Sequence, residues 1–376
     1  MAVTFRYANA DEYPRIADFL DQFWAKGHIY VRDKPLFDWT FGRLTHWEES
    51  GYCFALGEDN GELVGILGGI PFLFNSFGKS SKGIWIANYV IRPDHRKGAT
   101  ALQLLSVFRN MSRHAVVASG INPATSTIYK VLRGEVLPYI PRRFAVFPEG
   151  TERMTNLLHI AYPDWSNERT RNLAETLRVD RLGDADLTAG DSLPPNWDTT
   201  DWQVIAEKTI GAARDSDYLT WRYLQHPRFS YRFVTIREDE RSGLLVWRLE
   251  VIRRTSEQGR VDVDRIGRIV ELLPVSAENA GKLLATGMRQ MINEGAFAAD
   301  FYGYHSETNR DLDSAGFADT TKLTDGEHIP SRFQPLDGKG GGILSAMFLR
   351  EKAPAFQDPD CPWYWTKSDS DQDRPN

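Results

Sequence analysis

The sequence is short of the features that mark secreted, membrane-spanning or nucleic-acid-binding chains. Only two cysteines, Cys53 and Cys361, stand among 376 residues. They lack metal-ligand spacing, and neither has a Cys or His partner close by in sequence. That excludes a disulfide framework and a zinc site and fits a reducing compartment. No uninterrupted apolar run approaches the roughly 20 residues of a membrane helix. The first residues lack the basic-then-apolar form of a signal peptide, so the expectation is a cytoplasmic protein with no membrane partner. Basic residues are not in excess: 45 Lys and Arg face 51 Asp and Glu, a formal net charge of −6. With no basic stripe either, nucleic acid is excluded as the main partner. The eight histidines form no cluster of ligand-like spacing, and no metal is expected. The stretch Asp369-Ser370-Asp371-Gln372-Asp373 alternates like a calcium loop but lacks its glycine and closing glutamate. A solvated acidic tail is expected there.

What the chain does have is apolar content, 41%, enough for two packed cores at this length. Its most informative stretch runs from Tyr89-Val90-Ile91-Arg92-Pro93 through Asp94-His95-Arg96-Lys97 to Gly98-Ala99-Thr100-Ala101. A β-branched strand stops at a proline, and a short basic loop follows. A helix then begins in which Ala101, Leu104, Leu105, Phe108 and Met111 recur at helical spacing. Such a loop turns free backbone N–H groups and the positive end of a helix toward one point, which suits a pyrophosphate. Arg96 and Lys97 add charge there. The stretch resembles the acyl-CoA-binding segment of the GNAT N-acyltransferase superfamily, V-x-P-x-x-R-x-x-G-x-G/A, through Ile91, Pro93, Arg96, Ala99 and Ala101. It departs at Ala99, where the family usually has glycine. Gly98, one place earlier, would still let the backbone approach the phosphates.

A second segment extends the resemblance. After an expected buried strand at His114 to Gly120 comes Asn122-Pro-Ala-Thr-Ser-Thr-Ile128-Tyr129-Lys130. GNAT chains similarly carry an asparagine after the fifth strand and a tyrosine seven positions on, inside the next helix. The resemblance implies that Asn122 meets the pantetheine arm and that Tyr129 protonates the departing CoA thiolate, as a well-placed phenol can. A helix tyrosine is also at home half-buried in a core. The order and separation of the two motifs favour the donor.

The chain repeats itself weakly but in register. Asp33-Lys-Pro-Leu-Phe-Asp-Trp39 returns as Asp215-Ser-Asp-Tyr-Leu-Thr-Trp221, and Ile140-Pro-Arg-Arg-Phe144 returns as Ile329-Pro-Ser-Arg-Phe333. Pro93 and Pro274 stand at near-equal distances beyond the two tryptophans. Three matches in order argue for duplication. The first half should run as strand Val3–Tyr7, helices near Asp11–Trp24 and Leu36–Leu44, a hairpin turned at Asn60-Gly61, strand Ile84–Ile91, and then the helix, strand and helix above. The second should run as strand Trp202–Ala206, a helix at Asp217–Leu224, strands Tyr231–Ile236, Gly243–Val251 and Ile266–Leu273, helix Ala280–Ile292 and strand Phe297–Gly303. The expected fold class is α/β (α+β), with two tandem GNAT-like domains, each a mixed, splayed β-sheet flanked by helices. Residues 1–150 would form a GNAT domain with the acyl-CoA site. Residues 151–200 would be a polar connector with one short helix near Arg169–Leu177, 201–355 a degenerate GNAT domain shaping the acceptor site, and 356–376 the tail. The second-half counterpart of the phosphate loop, Pro274 to Gly281, has no basic residue and carries Glu278. It reads as an ordinary helix start capped by Ser276 or Asn279.

The tail from Trp363 to Asn376 and the run Tyr218 to Pro227 resemble parts of bacterial nucleotide-sugar N-acyltransferases with tandem GNAT halves. The resemblance implies acyl transfer from acyl-CoA, acetyl-CoA or a short hydroxyacyl-CoA, to the amino group of a nucleotide-linked amino-deoxysugar, as used in polysaccharide biosynthesis. The amine would attack directly through a tetrahedral intermediate. Val90 and Ile91 would offer their backbone to the pantetheine and the thioester carbonyl, and Arg96, Lys97, Gly98, Ala99, Thr100 and Ala101 would hold the phosphates. The family's frequent strand glutamate is missing, since Trp85 to Ile91 holds only Asn88. The base would be His305, Glu271 or water. Trp221, Tyr223, Tyr302 and Tyr304 are candidates to stack on sugar or base and equally candidates for the core. Two other readings stay open: a tandem GNAT enzyme using aminoacyl-tRNA, and a non-catalytic acyl-CoA sensor. The sequence also leaves open whether the chain forms a homodimer.

Overall fold

The computed structural model describes residues 3–42, 51–97, 99–111, 114–255, 261–324, 326–338, 341–351, 354–356 and 360–375. Leu44, Gly98 and Asn376 lie outside the described residues, as does the side chain of Met111.

Strand β1 (Thr4–Ala8) leads to helices α1 (Tyr13–Phe23), α2 (Ile29–Arg32) and α3 (Lys34–Phe41), then to strands β2 (Tyr52–Asp59), β3 (Glu62–Ser76) and β4 (Lys79–Ile91). Both hairpin turns use backbone that lies at positive φ, 53° and 82° at Asn60-Gly61 and 51° and 82° at Phe77-Gly78. That is the type I′ geometry whose twist matches the flanking strands. Next come α4 (Thr100–Met111), β5 (Ala115–Ser119), α5 (Ser126–Val131), β6 (Glu135–Val136), β7 (Arg142–Val146), α6 (Thr151–Ala161) and α7 (Asn167–Thr176). The chain continues through α8 (Trp202–Ala206), β8 (Ile210–Ala212), α9 (Ser216–Leu219), β9 (Arg232–Glu238), β10 (Arg241–Thr255), β11 (Val261–Leu273), α10 (Ala277–Asn293), β12 (Ala298–Tyr302), α11 (Ser306–Ser314) and β13 (Ala318–Asp319). It ends with β14 (Arg332–Phe333), β15 (Leu336–Asp337), β16 (Ser345–Leu349) and β17 (Trp363–Tyr364).

Two mixed sheets organise the molecule. One runs β1-β2-β3-β4-β5-β16-β6 and the other β9-β10-β11-β12-β7-β13. From β2 and from β9 onward their senses agree: two antiparallel steps, one parallel step, then two antiparallel steps. A helix crosses over at each parallel step, α4 between β4 and β5 and α10 between β11 and β12, as parallel pairing requires. One strand is exchanged in each direction. β7 leaves the first half to sit between β12 and β13, while β16 leaves the second half to sit between β5 and β6. The sheets therefore do not follow the chain segments 1–150 and 201–355 strictly. β16, rather than the repeated Arg332-Phe333, holds the place in the first sheet that β7 holds in the second.

The other repeated segment meets itself across the molecule. Asp33 and Asp215 each cap a helix by accepting from the backbone N–H three residues on. Trp39 and Trp221 stack with ring centroids 4.9 Å apart. Each indole N–H donates to the other residue's carbonyl, at 3.1 and 3.2 Å.

Three expectations are corrected. Trp202–Ala206 is a helix, because Trp202 and Ala206 are buried at i, i+4 while Gln203 points out. The stretch 151–200 is more than a connector: α6 and α7 bury Met154, Leu157, Leu158, Leu173 and Leu177 against Phe144 and Phe297 in a core of their own. The tail is not solvated: Asp369, Asp371 and Asp373 are buried, each paired with an arginine, Arg214, Arg374 and Arg248 respectively. Its aromatic run Trp363-Tyr364-Trp365 anchors it in the core. Among the described residues no helix is long and apolar enough to cross a membrane, and no group of three His, Cys, Asp or Glu side chains could hold a metal ion.

Candidate active site

The site begins with a defect in β4. Val90 pairs with Ile66 and Ala87 with Gly68, so Asn88 and Tyr89 together oppose one residue of β3. Asn88 takes φ 51° to make this bulge, and a bulge bends its strand and raises its twist. Pairing of β4 with β5 runs from Gly83↔Ala115 to Ile86↔Ala118 and stops there. Beyond it the strands part, and the Asn88–Ile91 edge away from β3 has no strand partner among the described residues. The gap is a cavity of about 310 Å³, lined by Ala87, Asn88 and Tyr89 on one side and by Ser119, Gly120, Asn122 and Tyr129 on the other.

Tyr129 comes from α5 and is 5% exposed. Its hydroxyl makes no hydrogen bond among the described residues, and burial pushes the phenol up to about 12. It therefore keeps its proton at neutral pH. Asn88 Oδ1, on the same cavity, is buried with no hydrogen-bond partner among the described residues. Asn122 caps the turn before α5, accepting from the Ala124 N–H at 2.9 Å. Tyr89 donates to the Ala101 carbonyl and ties the strand to α4.

At the strand's end, Arg96 Nε donates to the Ile91 carbonyl at 3.0 Å, and the side chains of Arg96 and Lys97 are exposed. The first intrahelical bond of α4 is from Gln103 to Ala99. The N–H groups of Thr100, Ala101 and Leu102 thus have no partner inside the helix. The matching helix start in the second half is closed. There Ser276 caps Asn279, Asn279 Oδ1 accepts from Val275, and Ser276 donates to Glu238.

The second sheet parts in the same way, its parallel pairing ending at Arg268↔Asp300, just before a bulge in β11 at Val270. That gap is filled by the chain's own tail. Lys367 N–H donates to Tyr302, Tyr304 N–H donates to Trp365, and Tyr364 Oη accepts from Leu272 N–H at 3.0 Å. The tail then enters the first cavity. Gln372 Nε2 donates to the Ser119 carbonyl at 3.1 Å, close against Gly120, which sits at φ 73° with no room for a Cβ. Asp371, Gln372 and Arg374 line the wall opposite Tyr129. Asp371 is the only carboxylate on this cavity among the described residues and pairs with Arg374 at 2.7 Å. The sequence reading missed these residues. The aromatic density of Trp363-Tyr364-Trp365, unsuited to a solvated tail, was the available signal.

Other expected site residues are placed elsewhere. His305 caps α11, its Nδ1 2.9 Å from Thr308 Oγ1, and lines a separate cavity of about 480 Å³ with Leu273, Ser276 and Asp311. Burial pulls its imidazole down to about 4. Glu271 is fully buried, accepting from Arg214 and Tyr223 at 2.8 and 2.5 Å, with burial raising its carboxyl. Trp221 stacks on Trp39, Tyr223 is inside the Glu271 cluster, and Tyr304 donates to the Pro138 carbonyl. Tyr302 lines a further cavity adjoining the first.

No protein-family profile matches the sequence, and no curated protein matches it. Solved structures do resemble it. Saccharomyces cerevisiae N-myristoyltransferase with bound myristoyl-CoA aligns at TM-score 0.54 and 10% identity, over 94% of this chain and 84% of that one. A GCN5-related N-acetyltransferase from Anabaena variabilis aligns at 0.52 and 13% identity, over 80% of this chain and 66% of that one. A GCN5-related N-acetyltransferase from Kribbella flavida aligns at 0.50 and 12% identity, over 93% of this chain and 72% of that one. At such identities the likeness shows the fold. The chain has the fold of the GCN5-related (GNAT) N-acyltransferases, a mixed α/β architecture of two sheets flanked by helices.

Proposed function

We propose that the protein is an acyl-CoA-dependent N-acyltransferase acting on the amino group of a nucleotide-linked amino-deoxysugar. The observation that carries this is the gap between β4 and β5, with a protonated, unpartnered Tyr129 on its wall. The open backbone edge of Val90 and Ile91 offers the pantetheine amides an added-strand mode of binding. The N-terminus of α4, with Arg96 and Lys97 beside it, suits the phosphates. The cavity volume suits a short acyl group, acetyl or hydroxyacyl. Tyr129 donates its proton to the sulfur as the thioester breaks, and Asp371 accepts the proton that the acceptor ammonium gives up. The two sheets of one strand order are read as duplicated halves, of which only the first keeps a cofactor site. A cytoplasmic location is part of this reading. The fold relatives that carry acetyl and myristoyl transfer support the reaction class. Release of free thiol, screened for several acyl-CoAs against dTDP- and UDP-linked amino sugars, tests the reading. Binding of acyl-CoA with no thiol released on any amine would instead support a sensor.

A further inference from the structure

Beyond Gly120, Ile121, Gln372 and Arg374, which line both, the Tyr129 cavity adjoins a second one of about 260 Å³ lying between the two sheets. Arg248, Arg268, Arg332 and Lys367 line it, with Glu250 as the only carboxylate on its wall among the described residues. Most of these charges are already matched. Arg248 pairs with Asp373 and Glu250, and Arg268 with Asp300 and Glu250, while Asp300 also takes Arg142. Five cations thus face three carboxylates in this network. The surplus falls on Lys367 and Arg332, neither of which has an ion pair among the described residues. Lys367 sits over the Tyr302 ring, 4.8 Å from its centre. Holding Lys367 beside Arg268 in a concave, partly desolvated site, with exposed Arg332 on the same wall, is unfavourable unless an anion occupies it.

We propose that this second cavity binds the phosphate of the acyl acceptor, with Lys367 and Arg332 as the cations that receive it. A carboxylate carries one charge and would leave one cation unmatched, whereas a phosphate or diphosphate answers both and suits the fork of an arginine and the point charge of a lysine. Burial and then the Arg268 charge hold the Lys367 ammonium down near 7, and a bound dianion opposes both effects. A third cavity of about 430 Å³, continuous through Arg248, Glu250 and Arg374, gives room for the rest of a phosphate-bearing acceptor. This rests on reading the Tyr129 cavity as the acyl-CoA site, since that places the acceptor's amine on the second cavity's side.

The test is calorimetric titration of inorganic pyrophosphate into protein already saturated with CoA. Binding is expected in the wild type, weaker by about ten-fold or more in Lys367→Met and in Arg332→Gln, and retained in Lys367→Arg, in line with the loss of one charge-assisted contact. Arg332 is exposed, so its variant tests the site even if Lys367→Met folds poorly. No binding to the CoA-saturated wild type, or equal binding in all variants, overturns the proposal. Failure of CoA to bind would instead remove the cofactor reading. Pyrophosphate titrated into Arg96→Glu protein, whose loop repels anions, then still reads the second cavity. UDP binding more tightly than pyrophosphate assigns the phosphate to a nucleotide, and equal binding assigns it to a simpler phosphate ester. Both keep the site.

Discussion

At the scale of single residues, the division of labour across the first cavity gives two kinetic predictions. Tyr129 lines the cavity with a hydroxyl that makes no hydrogen bond among the described residues, so Tyr129→Phe removes the proposed proton donor and little else. The expected result is a kcat lowered by about a hundred-fold with the KM for acyl-CoA within about two-fold, read by thiol release. An unchanged kcat in folded protein would make Tyr129 a packing residue. Asp371→Asn should lower kcat by about a hundred-fold with the KM for acyl-CoA within about two-fold in the same assay, and an unchanged kcat would leave water as the proton acceptor. His226 gives a stability prediction. Its Nδ1 accepts from the Arg228 and Phe229 N–H groups, and burial, reinforced by Arg222, pulls it down to about 3. Unfolded, it takes up a proton near 6.5. Between those values the unfolded state binds more protons, so stability falls as pH falls. His226→Gln should flatten the decline of Tm between pH 6.5 and 4.5 in thermal scans. His28 and His305, both held near 4, act in the same direction and will leave part of the slope.

At the scale of elements, the two crossover helices begin alike in sequence position and differently in chemistry. The start of α4 lies beside Arg96 and Lys97, with its first intrahelical bond from Gln103 to Ala99, while α10 satisfies its own N–H groups through Ser276 and Asn279 and carries Glu278 paired with Lys282. Arg96→Glu should therefore weaken CoA binding by about ten-fold or more, through repulsion at the pyrophosphate. Glu278→Lys should leave it nearly unchanged, since that helix end is closed and its cleft holds the tail. Titration of CoA into both variants decides this, and equal losses would remove the single-site assignment.

At the scale of the molecule, strand exchange and the returning tail tie the two sheets together. The tail carries buried carboxylates into a network with Arg214 and Arg248, and Asp373 takes hydrogen bonds from Arg248 and Tyr231. Arg248 holds the Asp373 carboxyl well below its usual range against the cost of burial. Removing one partner of a buried pair leaves the other charged and desolvated. Asp373→Asn should cost on the order of 3 kcal/mol, measured by guanidinium unfolding. A loss within experimental error would mean that water reaches the pair.

The sequence by itself determined what local chemistry can write. Asn60-Gly61 sets a hairpin turn, Pro93 ends a strand, and the periodicity after Ala101 makes a helix. Asn122 and Tyr129 stand seven positions apart beyond a common strand end, and the repeated Asp33 and Asp215 segments each mark a helix start. These signals act over a few residues, where backbone sterics and side-chain spacing decide alone. Only tertiary structure decided that β7 and β16 change sheets, that 151–200 builds a core, and that Asp371, Gln372, Arg374 and Lys367 reach the site. These depend on partners distant in sequence, such as Arg214 for Asp369 and Ser119 for Gln372. An acidic run reads as solvated until the arginines that neutralise it are folded around it. His305 comes to lie beside Tyr364 of the tail and on a cavity apart from Tyr129, a placement only the folded chain shows.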